Sequence, residues 1–362
     1  MTTAPLLDTA PLTEPVDRAG VRAFTADLRR RGLLRSNTVA IIVFAVIGAA
    51  VVFVVGPILV ALVGTAVTGG NGSALVLLPF LAVLAVAVLL VTAIARGVGG
   101  AAERRYRLDR FARANGMTWH PGFADPALPG MIFGLGHDRG THDLVRRDSP
   151  RFVEIANYTY ETGSGKNEQT HRWAYVAVRL DTPLPHIVLD AVGNNGLFGG
   201  SNLPLSFDRH QRLSLEGDFD RHFALYCPEG YERDALYLFT PDVMARFVDN
   251  AAALDVEIVD DWLFLYSRRD LSTLDPATWQ WLFATIDAID DKLAQWARWR
   301  DERLAEAPAP TASGVPLLTP PPAGVASEGR RLRRGFSWVT ALFVVLYAGW
   351  WLFTVLSDTF LH

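Results

Sequence analysis

Two long stretches without any charged residue limit what this chain can fold into more than any other feature. The first runs from Ser36 to Ala95 and the second from Gly335 to Ser357, whereas the residues between them are ordinarily polar. A membrane-spanning helix takes about 20 consecutive apolar residues. The first stretch is therefore long enough for two spans and the second for one.

A cluster of turn-forming residues divides the first stretch. Residues 68–73 read Thr-Gly-Gly-Asn-Gly-Ser, a sequence of low helix propensity. We expect one helix from about Val39 to Val67 and another from about Ala74 to Ala95, together forming a two-helix transmembrane hairpin over residues 38–96. A third transmembrane helix is expected over residues 335–357.

Arginine clusters beside these stretches predict the orientation, because positively charged flanks stay on the cytoplasmic side of a membrane. All of them place the N-terminus and the large middle region inside the cell and the C-terminus outside. We therefore expect a multi-pass plasma-membrane protein, and the juxtamembrane arginines could also contact anionic lipid headgroups. The clusters are Arg29, Arg30, Arg31 and Arg35; Arg96, Arg104, Arg105 and Arg107; and Arg330, Arg331, Arg333 and Arg334.

The other segments differ in composition. Residues 1–20 contain three prolines and are expected to be disordered, whereas residues 21–37 form a basic amphipathic pattern that predicts a juxtamembrane helix. Residues 307–329 are rich in proline and small residues, which predicts an extended linker. The formal net charge is −4, so the chain lacks the basic character of a nucleic-acid-binding domain.

Residues 101–306 are predicted to form one soluble, cytoplasmic α+β domain. Apolar and polar residues alternate over 152–158 and 173–178, which predicts a hairpin joined by residues 162–167. Further strands are expected at 186–191, 223–227 and 236–239, and a hairpin at 256–259 and 263–267. Thr240-Pro241 predicts a helix start, and a long helix is expected over 276–304. Short connections between successive strands favour an antiparallel sheet.

None of the chemical motifs is specific enough to assign a catalytic, cofactor-binding or metal-binding residue. The acidic stretch with Glu216, Asp218, Asp220 and His222 could supply oxygen ligands to calcium or magnesium, although its spacing matches no standard calcium loop. Asp190, Asn194 and Asn195 follow a predicted strand and could point into a cleft, but Asn-Asn-Gly is also ordinary turn chemistry. Residues 163–166 lack the spacing of a phosphate loop. We therefore expect no cofactor and favour a non-enzyme.

The long helix over 276–304 carries one apolar stripe. Its members recur at intervals of three and four residues, so the stripe either packs on the domain's own sheet or pairs with a second copy to make a homo-oligomer. The stripe consists of Trp279, Leu282, Ile286, Ile289, Leu293 and Trp296.

Residues 223–249, followed by 256–266, carry a resemblance to a known group. A strand, a Thr-Pro helix start and a short hairpin follow one another there, and the pattern resembles bacterial multi-pass membrane proteins of unknown function over about residues 215–267. The resemblance implies a membrane location and a bacterial source, and it implies no catalytic residue.

Two functional classes remain open. In the first, the domain is a membrane-tethered binding or scaffolding module with the lipid bilayer and a protein as partners. In the second, it is a membrane-anchored metal-dependent enzyme that uses the segment Glu216–Asp220. Convergence of those acidic side chains in a pocket would favour the enzyme, and their dispersal would favour the binding module.

Overall fold

The structure is a computed structural model that describes residues 7–34, 56, 64, 97, 99–194, 201–215, 218–238, 241–251, 254–296, 325 and 329–334. The chain divides into two compact units, residues 8–115 and the remainder. The three predicted spans lie outside the described residues except at Gly56 and Gly64.

The expected fold class and location need correction. Among the described residues, no helix is both long and apolar enough to cross a membrane. The longest of those helices, Pro276–Trp296, carries Asp287, Asp290, Asp291 and Lys292, which excludes it from a bilayer core. This finding contradicts a fold class with three transmembrane α-helices and, with it, a multi-pass plasma-membrane protein; the described structure is dominated by an antiparallel sheet with few helices.

The described part of the first unit consists of helices that contact one another both through ring packing and through hydrogen bonds. These are α1 (Ala10–Thr13), α2 (Arg18–Arg30) and α3 (residues 99–114). The Asp17 carboxylate caps α2 by accepting from the amides of Ala19 and Gly20. Arg107 on α3 donates to the carbonyl oxygens of Leu12 and Glu14. Part of the stretch expected to be disordered, residues 10–13 and 18–20, is thus helical.

The second unit contains one seven-stranded antiparallel sheet, and β4 is its central strand. The order is β1-β2-β3-β4-β6-β5, and β7 pairs with the other edge of β4. Because β4 is 23 residues long, its first half pairs with β3 and its second half with β6. The strands are β1 (Thr118–His120), β2 (His137–Arg147), β3 (Val153–Thr162), β4 (Gln169–Ala191), β5 (Arg212–Leu213), β6 (Phe223–Tyr226) and β7 (Asp255–Ser267).

In the second half of this unit, the described residues form three helices. They are α4 (Glu232–Leu238), α5 (Pro241–Ala251) and α6 (Pro276–Trp296), and α6 packs on β4 and α5. The stripe residues Trp279, Leu282, Ile286 and Ile289 are buried within the chain. Packing inside the domain therefore accounts for this part of the stripe, while the side chains of Leu293 and Trp296 lie outside the described residues.

The sheet confirms the hairpin predicted at 152–178, whose strands pair from Val153↔Val178 to Thr162↔Gln169. Two other local predictions are wrong. Residues 236–238 belong to helix α4 rather than a strand, and residues 256–267 form one continuous strand rather than a hairpin. Asp260 adopts a left-handed conformation (φ 53°) opposite an irregular part of β4, so the Asp260-Asp261 pair marks a bulge instead of a turn.

The Asn157 side chain joins β3 to the loop before α6. Its Oδ1 accepts from the amides of Leu271 (3.0 Å) and Ser272 (3.2 Å), and its Nδ2 donates to the Ser272 carbonyl oxygen (3.1 Å). All three residues are buried. Removing the carboxamide therefore leaves buried backbone groups without these partners.

We predict that Asn157→Ala lowers the free energy of unfolding by about 2–4 kcal/mol, because each buried polar group left unsatisfied costs about 1–3 kcal/mol. Urea denaturation followed by circular dichroism measures this change. The control is Asn167→Ala in the exposed β3–β4 connection, which should change stability by less than about 0.5 kcal/mol. Equal effects of the two substitutions would contradict this role for Asn157.

Candidate functional site

A short basic segment near the C-terminal end of the described chain lies along the seven-stranded sheet of the second unit, which we call the sheet domain. We call residues 329–334, Gly-Arg-Arg-Leu-Arg-Arg, the docked segment. The Arg333 carbonyl oxygen accepts from the Asp208 amide (3.2 Å), and Arg334 forms an antiparallel bridge with Phe207. The Arg333 amide donates to Oε1 of Gln211 (2.7 Å). The backbone of the segment is therefore recognised much as an added strand would be.

Glycine at the start of the docked segment permits a close approach to the domain. A Cβ atom on Gly329 would lie 2.4 Å from Cζ of Tyr231 and 2.6 Å from Cγ1 of Val325. Any larger side chain would require the tyrosine ring or the backbone to move.

The side chains of the docked segment make two kinds of contact. Leu332 is only 8% exposed and belongs to the apolar cluster that covers one face of the sheet, which also includes Phe207 and Tyr266. Arg331 lies at the surface and forms a bidentate ion pair with Asp260, with both N–O distances at 2.8 Å. Hydrogen bonds from this guanidinium hold the pKa of Asp260 below its ordinary value. Arg333 pairs more loosely with Glu229, at 3.3 Å.

A network of buried polar groups, which we call the buried network, lies beneath the docked segment. The Glu257 carboxylate is 1% exposed and accepts from the Tyr266 hydroxyl (2.6 Å) and the Met131 amide (2.7 Å). Its Oε1 lies 2.9 Å from Nε2 of His186, which is also buried. Each carboxylate oxygen thus has at least one donor, which offsets the cost of removing the charge from water.

The docked segment determines which ring nitrogen of His186 carries the proton. The Leu332 amide donates to Nδ1 of His186 (2.9 Å), so Nδ1 must be an acceptor. Nε2 then carries the hydrogen and donates it to Glu257. The imidazole is therefore neutral and links the docked segment to the carboxylate.

The sequence predicts this arrangement only in part. His186 and Glu257 lie on two strands paired through Ile187↔Ile258 and Val188↔Glu257, so the sheet places their side chains on one face. Asp260, further along the same strand as Glu257, has a left-handed backbone conformation, and its carboxylate pairs with Arg331. Sequence analysis missed all three residues, although a glutamate inside the apolar run Val256-Glu257-Ile258-Val259 was a signal of a buried, partnered charge.

Asp190, Asn194 and Asn195 are expected from the sequence to face a cleft; the structure buries the side chain of Asp190 and leaves Asn194 partly exposed. Asp190 lies one position beyond the pair Leu189↔Val256, which sets it opposite Asp255 at the end of the sheet; both side chains are buried. Burial raises the pKa of Asp255 to about 7, and the charge of Asp190 adds to this, whereas the hydrogen bond from the Ala191 amide lowers it. Asn195 lies outside the described residues.

The acidic segment predicted as an alternative metal site does not converge among the residues that the structure describes. Asp218 is exposed, whereas Asp220 accepts from the Leu215 amide (3.2 Å) and the Ser214 hydroxyl and so closes its own loop. Residues 216–217 lie outside the described part of the chain. The side-chain hydrogen bonds of Asp220 thus stabilise the loop that contains it.

Comparison with known proteins adds little. No family model matches the chain, and no curated protein does so. The resemblance to membrane proteins of unknown function therefore stays a prediction. Among solved structures, the crystal structure of the mycobacterial trehalose monomycolate transport factor A, TtfA, is similar at a TM-score of 0.35 and 12% identity, covering 52% of this chain and 92% of that one. A likeness at this level carries no argument about fold or function.

We predict that Asp255→Asn makes stability less dependent on pH. Between about pH 4 and pH 7 the carboxyl is ionised in the unfolded chain but protonated in the folded one, so the folded state binds more protons and stability falls as pH rises. At about 1.4 kcal/mol per pH unit, the free energy of unfolding of the wild type should fall by roughly 2 kcal/mol relative to that of the variant from pH 5 to pH 7.

Urea denaturation at a series of pH values tests this expectation. Asp148→Asn, at an exposed position before β3, is the control and should follow the wild type at every pH. If the free energies of unfolding of Asp255→Asn and the wild type differed by the same amount at every pH, Asp255 would not titrate in this window.

Proposed function

We propose that the sheet domain is a peptide-binding module and that the docked segment is its intramolecular ligand. The surface that contacts this segment, which we call the groove, includes His186, Phe207, Gln211 and Asp260 and would accept an extended segment of the pattern Arg-Leu-Arg. The observation that carries the proposal is the mode of contact: backbone pairing, a buried leucine and an arginine in a bidentate ion pair occur within four consecutive residues. Main-chain pairing with side-chain pockets is a common mode of peptide recognition.

The contacts differ in what they contribute. Fully burying a leucine stabilises a complex by about 1.5–3 kcal/mol. The Arg331–Asp260 pair is about half exposed, with 56% and 37% of the two side chains accessible, and pairs of this kind contribute about 0–1 kcal/mol. Affinity therefore depends mainly on Leu332, whereas Asp260 selects an arginine, which can form a bidentate ion pair, at the position before the leucine.

Among the residues that the structure describes, Asp218 faces solvent and Asp220 hydrogen-bonds to its own loop, so these two carboxylates do not form the convergent site expected of the alternative enzyme. A binding or scaffolding role agrees better with a groove that already holds a peptide. A partner presenting the same pattern would have to displace the docked segment. Covalent linkage keeps that segment at a high effective concentration, on the order of millimolar, so the groove would discriminate against weak competitors.

Displacement can be measured with a fluorescent peptide that copies residues 326–335. In the wild-type chain, the docked segment competes with the peptide. We predict that Leu332→Asp, which disfavours the intramolecular contact, increases the affinity for the peptide at least about tenfold, as measured by fluorescence anisotropy.

Two controls make the result specific. Arg334→Ala retains its backbone bridge to Phe207 and should bind the peptide as the wild type does. A peptide with aspartate in place of leucine should bind neither protein. If Leu332→Asp remained folded by circular dichroism but bound the peptide no more tightly than Arg334→Ala, the groove would not be a peptide site.

A further inference from the structure

Three side chains of types that can bind a metal lie close together where β2 begins and β3 ends. His137 begins β2 and lies directly opposite Glu161 of β3 in the sheet register. Glu168 comes from the β3–β4 connection. One possible ligand atom from each residue lies within 4.8 Å of the other two. A single ion could therefore contact all three side chains with small movements.

Glycine allows these strands to come close together. Gly136 has a φ of 60°, and a Cβ atom there would lie 2.0 Å from the Glu161 carbonyl oxygen. A residue with a side chain could not hold His137 at this distance from Glu161. The sequence thus positions the imidazole next to the carboxylate through the backbone itself.

The hydrogen bond of His137 is of the kind found in metal ligands. Its Nε2 lies 2.9 Å from the Gly163 carbonyl oxygen, which can only accept, so Nε2 carries a hydrogen. Metal-bound histidines usually donate their other ring N–H to a carbonyl or carboxylate in this way. In the neutral ring, the lone pair is then on Nδ1.

That lone pair faces another acceptor. Nδ1 lies 3.2 Å from Oδ2 of Asp138. Two hydrogen-bond acceptors at this distance need a proton or a metal ion to bridge them. The carboxylates of Glu161 and Glu168 also lie close together, with a possible ligand oxygen of one within 4.8 Å of that of the other. A bound cation would stabilise both contacts, the one between the imidazole lone pair and Asp138 and the one between the two glutamates.

We propose that His137, Glu161 and Glu168 bind a divalent transition-metal ion of the Zn²⁺ class, with Asp138 as a further carboxylate next to it. One imidazole with several carboxylates suits Zn²⁺ and similar ions, whereas Mg²⁺ and Ca²⁺ prefer oxygen ligands alone. Such an ion would join the start of β2 to the β3–β4 connection. The proposal does not depend on peptide binding in the groove.

The test is isothermal titration calorimetry of the purified chain, freed of any affinity tag, with ZnCl₂ at pH 7.5. We expect one saturable site in the wild type, and an affinity lower by about tenfold or more in both His137→Ala and Glu161→Gln. His142→Ala is the matched control, because His142 lies on the same strand and bonds Thr159, and it should bind as the wild type does. MgCl₂ should bind more weakly than ZnCl₂.

Two results would overturn the site. The first is the lack of saturable Zn²⁺ binding by a wild-type chain whose circular dichroism shows it to be folded. The second is equal affinity in His137→Ala, His142→Ala and the wild type, which would place the ion elsewhere. In either case, protonation of His137 beside Asp138 would account for the contacts. The peptide-binding measurement is unaffected by these outcomes.

Discussion

A buried carboxylate needs donors on all sides, and this requirement at Glu257 links the parts of the sheet domain. Its partners come from three places along the chain: His186 on β4, Tyr266 on the same strand β7, and the Met131 amide in the segment that covers the sheet. Leaving such a charge unpaired in the interior would cost several kcal/mol. The covering segment, the two central strands and the histidine must therefore take up their positions together.

One hydrogen bond joins the docked segment to the buried network, and it also determines the tautomer of His186. By donating to Nδ1 of His186, the Leu332 amide determines the tautomer that lets Nε2 donate to Glu257. A different peptide in the groove would need an amide at the same place, whatever its side chains. In the proposed peptide-binding module, the groove would thus recognise an extended backbone first, and the leucine and the bidentate arginine would then distinguish one extended segment from another.

Local sequence patterns predicted those elements whose stability depends on near neighbours. The hairpin at 152–178 follows from alternation and a Gly-Ser-Gly connection, and the helix start at Pro241 follows from proline placement. The strand predicted at 236–239 failed because short apolar runs suit a helix equally well. The hairpin predicted at 256–267 failed because β4 is long enough to pair with both halves of β7, so Asp260 bends the strand without reversing it.

By itself, the sequence determined where charges are excluded, which segments alternate, and that the middle of the chain favours antiparallel strands. It did not reveal either proposed site. His186, Glu257 and Leu332 are separated by up to 146 residues, and His137 and Glu161 are brought together by strand register. Only the tertiary structure decides which residues of different strands share a face, because a shift of one position in register reverses the face of every side chain.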